Sequence, residues 1–270
     1  MGLPLALQLY SVREQCKADL RGTLEQVALW GYHGVEFAGL HGHTPEAVRD
    51  MLDEFALRCC GAHVALDEFA DETFEQTLTD YGTLGCPNLI VPWLAPNLRD
   101  SVASSMKTAA ELSVLCERLG PRGFAAGFHA HWQDMTPLEE AGGIETSPWY
   151  VIGRNTPDAF IMQYDTGNGV AGGADAVRPI QDFPGRARVL HLKSFVVADA
   201  DEQGHRHAGL GQAAIGSDEL DWDAILNAAR GPGGTHWLVV EQEGHATLDP
   251  MAAAEASLRG LQKYVKPVTL

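Results

Sequence analysis

Basic residues are scarce in this sequence. Among 270 residues, 19 Lys and Arg stand against 36 Asp and Glu, which gives a formal net charge of −17. Because binding to a polyphosphate chain needs a surface rich in Lys and Arg, this balance argues against nucleic acid as a main partner. It also disfavours attraction to an anionic membrane surface. We therefore expect a small-molecule partner, and neither nucleic acid nor a membrane.

Paired cysteines and long apolar runs are also missing. The five cysteines form an odd set without a CxxC pair, which fits buried thiols in a reducing compartment better than a disulfide framework. The first residues, MGLPLALQLYSV, contain no basic segment, and their apolar run is too short for a signal peptide or a membrane span. These absences predict a cytoplasmic protein.

Eight short apolar runs are present, most of them followed by a helical pattern. The runs are Leu5–Tyr10, Gly34–Phe37, Cys59–Val64, Asn88–Trp93, Phe124–His131, Ile161–Asp165, Val189–Leu192 and Trp237–Glu241. Their ends follow one another at steps of 28, 27, 29, 37, 36, 26 and 50 residues, and a strand–helix unit of a barrel takes roughly 30 residues. The spacing predicts an α/β protein with a single (β/α)8 TIM barrel spanning residues 1–270 as one domain. A doubly wound sheet is the rival, but no GxGxxG or GxxxxGK motif follows the first run.

The segments between the runs supply helices and two long loops. Apolar spacing and capping residues predict helices over Leu20–Leu29, Thr44–Leu57, Ser101–Leu119 and Met251–Tyr264. The segments Met135–Asp158 and Val197–Glu219 follow the fifth and seventh strands, at the end of a barrel where active sites lie. We interpret both as lids over a site, with surface insertions as the alternative.

Polar residues stand where buried strands should be apolar. Asp165, His191 and Glu241 each end an apolar run. Because side chains alternate along a strand, Lys193 lies on the same side as His191, Glu243 on the same side as Glu241, and His131 on the same side as His129. Carboxylates and imidazoles that converge at one barrel mouth suit Mn²⁺, Mg²⁺, Co²⁺ or Zn²⁺. The pattern predicts a site for one divalent metal ion.

These motifs, in this order, resemble the sugar isomerase/epimerase family of xylose-isomerase-like barrels, the superfamily that also includes endonuclease IV. The resemblance covers nearly the whole chain. Its motifs are Gln8–Arg13, Gly31–Phe37, Gly61–His63, Phe128–His131, Asp165–Asn168, Gly172–Asp175, His191–Lys193, Gly216–Trp222 and Val240–Gln242. The net charge opposes the endonuclease branch, which needs a basic groove.

The resemblance implies one divalent cation held from the last four strands. The matching ligands are Asp165, His191 and Glu241. His129 is the preferred ligand from the fifth strand, with His131 or Asp134 as alternatives. The chain departs from the related pattern Tyr-His-Asn-His-x-x-Glu-Phe, because Ala130 replaces Asn and Asp134 replaces Glu. Ketose epimerases of the superfamily use two metal-bound glutamates, of which only Glu241 has a clear counterpart.

The function that we expect is isomerisation or epimerisation of a keto-sugar or related polyol ketone through a metal-stabilised enediolate. The residues expected to move protons are Glu241, Lys193, His63 and Asp134. Those expected to bind the substrate are Glu36, His131, Asn168 and Glu243, although Glu36 could instead pair with a core arginine. The alternatives are a sugar dehydratase or lyase of the same fold, metal-assisted hydrolysis, and a sugar-binding barrel without catalysis. The resemblance also implies a homodimer.

Overall fold

The computed structural model describes residues 2–197 and 207–265, and within them a closed parallel barrel. The strands are β1 Leu5–Gln8, β2 Gly34–Ala38, β3 Arg58–His63, β4 Asn88–Val91, β5 Ala125–His129, β6 Ile161–Gln163, β7 Val189–Leu192 and β8 Trp237–Val240. They pair in the order β6-β5-β4-β3-β2-β1-β8-β7. A parallel bridge between Asp165 and His191 joins the end of β6 to β7 and completes the circle. The predicted (β/α)8 barrel is thus confirmed, since each apolar run overlaps with one strand.

Helices alternate with these strands. They are α1 Arg13–Ala18, α2 Leu20–Trp30, α3 Pro45–Glu54, α4 Phe74–Thr83, α5 Val102–Leu119, α6 Trp132–Met135, α7 Pro148–Arg154, α8 Thr166–Ala171, α9 Arg178–Asp182, α10 Trp222–Arg230 and α11 Pro250–Leu261. The predicted signals set several boundaries. The Thr44 side chain accepts a hydrogen bond from the Ala47 amide at 3.3 Å, and Gly31 ends α2 with a φ of 102°. In the described residues, no helix is long and apolar enough to cross a membrane.

The two long loops differ from expectation. Residues 135–158 contain a 3-10 segment over Glu140–Thr146 and then α7, so the expected loop is partly helical. Pro148 occupies the first turn of α7, a position that suits proline, and Trp149 and Ile152 are completely buried. Burial of this kind makes α7 part of the packed wall. Of the second segment, residues 198–206 lie outside the described residues; in the remainder, Leu210 pairs with Phe195.

A small apolar cluster lies inside the barrel. It consists of Ala6, Cys60, Val189 and Val239, all of them fully buried. Because side chains two apart on a strand share a side, Val189 and Val239 place His191 and Glu241 on the same inner side, toward the carboxyl ends of their strands. The barrel therefore has an apolar floor beneath a polar mouth. All five cysteines are free, and Cys116 alone among them is not fully buried.

Candidate metal centre and cavity

Four buried side chains converge at the carboxyl ends of the last four strands. His129 is the final residue of β5, Asp165 follows β6, His191 lies in β7, and Glu241 directly follows β8. One potential ligand atom from each lies within 4.8 Å of those from the other three. A second group, formed by His63, His129 and His191, overlaps with the first. The structure thus brings together the four residues that the sequence nominated as ligands.

The donor atoms of the four-residue cluster fit a divalent cation. Imidazole nitrogens and carboxylate oxygens are the ligands that Mn²⁺, Co²⁺ and Zn²⁺ accept, and no thiol is present to restrict the choice. The Asp165 Oδ2 atom is buried and has no hydrogen-bond partner among the described residues, whereas its Oδ1 atom accepts from the Asn168 amide at 2.7 Å. A cation in the cluster would satisfy that buried oxygen.

Gln163 fixes the orientation of His129. Its Nε2 atom donates to the Glu36 carboxylate at 2.7 Å, which leaves its Oε1 atom to accept from His129 Nδ1 at 3.0 Å. His129 is therefore protonated at Nδ1, and its Nε2 lone pair is directed to the side where Glu241 Oε2 lies, 3.8 Å away. Burial, together with the nearby His191, holds the pKa of His129 well below its usual range. A neutral imidazole with a free lone pair is the form that binds metal.

Glu36 lies at the centre of the buried network. It is completely buried, its Oε1 atom accepts from Gln163, and its Oε2 atom accepts from Gln8 at 2.7 Å and from His191 Nε2 at 2.6 Å. Burial alone would raise the pKa of this carboxyl, but His191 and His63 outweigh burial and lower it. The structure therefore places Glu36 behind the ligands, where it orients His191. It makes no pair with an arginine in the described residues.

His191 is held between two carboxylates. Its Nδ1 atom lies 2.6 Å from Glu241 Oε2, and its Nε2 atom lies at the same distance from Glu36. Because carboxylates only accept, both nitrogens donate in these two contacts. Burial by itself would lower the pKa of His191, but the two carboxylates raise it to about 10. Because Nε2 is bound to Glu36, Nδ1 is the nitrogen that faces the cluster. A histidine held in this way by a carboxylate is common among metal ligands.

Lys193 neutralises part of the acidic charge. Its Nζ atom lies 3.1 Å from both Glu241 Oε1 and Glu243 Oε2, and 3.7 Å from Asp165 Oδ2. Burial disfavours the ammonium, yet these three carboxylates outweigh it and raise the pKa of Lys193. The lysine is therefore a fixed cation and hydrogen-bond donor at neutral pH. To move a proton, as expected from the sequence, Lys193 would have to give up these ion pairs.

A cavity of about 470 Å³ opens above this cluster, a size typical of small-molecule sites. The described residues that line it are Tyr10, Ala38, Gly39, His63, Ala65, Glu68, Pro92, Trp93, His129, His131, Glu241 and Glu243. His63, His131 and Glu243, which the sequence nominated for proton transfer or substrate binding, thus lie on the cavity wall together with two of the metal-ligand candidates.

Besides Glu36 and Lys193, two further residues nominated for proton transfer or substrate binding do not line the cavity. Asp134 is completely buried, with Oδ1 3.2 Å from Arg99 Nε and Oδ2 accepting from the His131 amide at 2.9 Å. Burial raises the pKa of its carboxyl to about 6. Asn168 is also buried, and its Oδ1 accepts from the Trp132 amide at 3.3 Å. Both side chains stabilise the local backbone around the site.

Several residues of the site were not identified from the sequence. Gln163 was overlooked, although a glutamine within the apolar run Phe160–Tyr164 was a usable signal. Gln8 was used to mark the first run and the first family motif, without a role in the site. The cavity residues Tyr10 and Glu68 lie in short 3-10 helices, and Trp93 lies just after β4. An exposed aromatic or carboxylate at such positions is too common to stand out.

Comparisons with known proteins agree with this architecture. The family model described as a xylose isomerase-like TIM barrel matches residues 24–264. A sugar phosphate isomerase/epimerase from Parabacteroides distasonis ATCC 8503 is 19% identical, with 98% of this chain and 100% of that chain covered and a TM-score of 0.79. No curated protein matches the chain.

Two further structures share the fold. The IOLI protein with a binding zinc atom is 14% identical, with coverage of 97% and 99% and a TM-score of 0.72. The probable 3-DHS dehydratase AsbF involved in petrobactin synthesis, from Bacillus anthracis, is 16% identical, with coverage of 96% and 98% and a TM-score of 0.71. At these identities the likeness shows the fold alone.

Proposed function

Because the chain belongs to the xylose isomerase-like TIM barrel family, we propose that it is a divalent-metal-dependent isomerase or epimerase of a keto-sugar or related polyol ketone. The observation that carries the proposal is the buried cluster of His129, Asp165, His191 and Glu241 beneath an open cavity. The sugar isomerase/epimerase and zinc-containing barrels of the same fold support this assignment.

A cation held by these four side chains would polarise a ketone carbonyl and the adjacent hydroxyl, which acidifies the hydrogen on the carbon between them. The protein itself contributes fixed charge around that position. Lys193 remains protonated and donates hydrogen bonds from beneath the cavity. Glu36 and Gln163 hold the two imidazoles in fixed orientations, so that no reorganisation is needed when the substrate binds.

Two cavity residues are suited to proton transfer. His63 Nε2 lies 2.8 Å from Gln163 Oε1 and 3.2 Å from Glu36 Oε2, so Nε2 carries the hydrogen and Nδ1 is free to accept a proton. Burial lowers the pKa of His63, which keeps it neutral. Burial raises the pKa of the Glu243 carboxyl, which brings it closer to the range of a general base. We assign the removal and return of the substrate hydrogen to these groups.

Proton exchange tests the proposal directly. The protein is incubated in deuterated water with Mn²⁺, Mg²⁺, Co²⁺ or Zn²⁺ and a panel of keto-sugars, and exchange of the hydrogen next to the carbonyl is followed by NMR after the metal is removed. Exchange is expected only with added metal, and Asp165→Asn should abolish it. Asp50→Asn, an exposed substitution on α3, serves as the matched control. A bound sugar that never exchanges would contradict catalysis and favour a sugar-binding barrel.

A dehydratase is the second candidate. It is supported by the fold shared with the probable 3-DHS dehydratase, and by the four clustered ligand candidates, which include one glutamate where the resemblance to ketose epimerases implies two. Dehydration starts with the same proton removal but expels a β-hydroxyl as water. Mass spectrometry of the product separates the two reactions, because dehydration lowers the substrate mass by one water and isomerisation leaves it unchanged.

A further inference from the structure

The wall of the cavity is acidic. Glu68, Glu241 and Glu243 line it, and no Lys or Arg is among the described residues that do so. Like charges that face each other at close range cost free energy, above all where protein excludes water. Away from the metal-ligand candidate Glu241, an anionic group on a substrate would face Glu68 and Glu243, without a Lys or Arg among these lining residues.

Three cations that contact residues of the cavity wall are already paired: Lys193, Arg13 and Arg99, whose Nε lies 3.2 Å from Asp134 Oδ1. Lys193 lies against Glu241 and Glu243, with Nζ 3.1 Å from a carboxylate oxygen of each. Arg13 Nη1 lies 3.6 Å from Glu243 Oε1. A phosphate placed here would have to compete with these carboxylates for its partners. Sites that bind sugar phosphates normally supply a free Lys or Arg or the amino end of a helix instead.

Two aromatic rings line the same cavity. Tyr10 is 45% exposed and Trp93 is 48% exposed, and they are the two aromatic residues among the exposed large apolar side chains of the described chain. The Arg13 guanidinium stands 4.4 Å from the Tyr10 ring centre, and the Arg99 guanidinium 5.8 Å from that of Trp93. A cation on one face restrains each ring and leaves the rest of its surface to the cavity.

We propose that this site takes an unphosphorylated, uncharged sugar, which packs a C–H face against Tyr10 and Trp93. The inference rests on the proposed function, because it assumes that the cavity holds the keto-sugar. Exposed aromatic rings offer a sugar apolar contact, while the carboxylates accept hydrogen bonds from its hydroxyls. A phosphate ester carries a charge of about −1.5 to −2 at neutral pH and would face those carboxylates instead.

Matched ligand pairs test the proposal. Binding is measured by isothermal titration calorimetry with Mg²⁺ for D-fructose, D-ribulose and D-allulose, each against its terminal phosphate ester. We expect at least one neutral sugar to bind tenfold or more tightly than its ester. The proposal is overturned if no pair meets this threshold, whether because the ester binds as well or because the neutral sugars fail to bind.

Ring substitutions test the stacking role. With the neutral sugar that binds best, Trp93→Ala and Tyr10→Ala should each weaken binding tenfold or more, whereas Trp93→Phe should recover most of the loss at that position. Met106→Ala, an exposed apolar residue on α5, is the control and should leave binding unchanged. Circular dichroism melts verify that every variant is folded. Unchanged affinity in folded Trp93→Ala and Tyr10→Ala would contradict the stacking role.

These experiments distinguish an error in the substrate class from an error in the proposed function. A neutral sugar that binds but never exchanges its proton contradicts the proposed function and leaves the substrate class standing. A phosphate ester that binds more tightly than its parent sugar and exchanges its proton contradicts the substrate class and leaves the function standing.

Discussion

Replacing Glu36 by glutamine should weaken both the fold and the metal site. The carboxylate is fully buried and accepts from Gln8, Gln163 and His191, with His63 at 3.2 Å. Glutamine has nearly the same shape, but one of its two terminal positions is an NH2 group. Either orientation of the amide points that NH2 at a group that already donates, and the negative charge is lost in both.

The expected cost follows from the contacts. A hydrogen bond to a charged group contributes about 1.5–3 kcal/mol, and removal of one member of a buried charge pair costs about 3–5 kcal/mol. Because Glu36→Gln keeps part of the hydrogen bonding, we expect a loss of about 3 kcal/mol in the free energy of unfolding of the metal-free protein. For a chain of 270 residues that corresponds to a decrease in melting temperature of roughly 5–6 °C.

Metal affinity gives a second readout. Glu36 holds His191 through Nε2, and loss of such a carboxylate partner typically weakens metal binding about 10- to 100-fold. Urea unfolding in EDTA measures the first effect, and calorimetric titration with Zn²⁺ measures the second. The exposed substitution Glu72→Gln is the control, with an expected change within about 0.5 kcal/mol. A Glu36→Gln protein that matches the wild type in both measurements would refute the assigned role.

Three further predictions concern pH, metal and packing. Burial raises the pKa of the Asp134 carboxyl to about 6, so its contribution to stability is full below its ordinary pKa near 4 and is lost as pH rises through 6. Between pH 4 and pH 7 in EDTA, the free energy of unfolding of the wild type should therefore fall by about 3 kcal/mol relative to that of Asp134→Asn. Urea unfolding that shows the same pH dependence for both proteins would refute this. Saturating Zn²⁺ should raise the melting temperature of the wild type by several degrees in scanning calorimetry, but not that of Asp165→Asn. Equal shifts in the two proteins would show that the four-residue cluster does not bind the ion. Gly260→Ala should lower the urea midpoint, because a methyl group there meets the Ile215 carbonyl, whereas Gly120→Ala, with open space around it, should not.

The fold could be predicted from the chain because its signals are local. Each strand appeared as a short apolar run, and their number and spacing match one barrel. Capping residues such as Thr44 and Gly31 set helix ends through contacts within a few residues. The helix α7 was missed because Met135–Asp158 was interpreted as one long loop, and the burial of α7 depends on packing against the rest of the wall.

The metal-ligand candidates could also be nominated from the sequence. A polar residue at the end of a buried strand contradicts the apolar pattern, and this contradiction singled out Asp165, His191 and Glu241. The period of two along a strand then put Lys193 beside His191 and Glu243 beside Glu241. Strand geometry alone determines which side chains share one side of a strand, so these pairs could be predicted without knowing the neighbouring strands.

Tertiary structure decided which of the polar groups meet. Glu36 and His191 are separated by 155 positions, and only closure of the barrel sets their side chains 2.6 Å apart. The same closure lets Gln163 fix the tautomer of His129, and it turns Asp134 toward Arg99 and away from the cavity wall. The sequence by itself determined the barrel and the residue types at its mouth, because those depend on local pattern. The hydrogen-bond partners and protonation states of the site residues depend on long-range packing, and so does the acidic and aromatic lining of the cavity. Only the folded chain determines them.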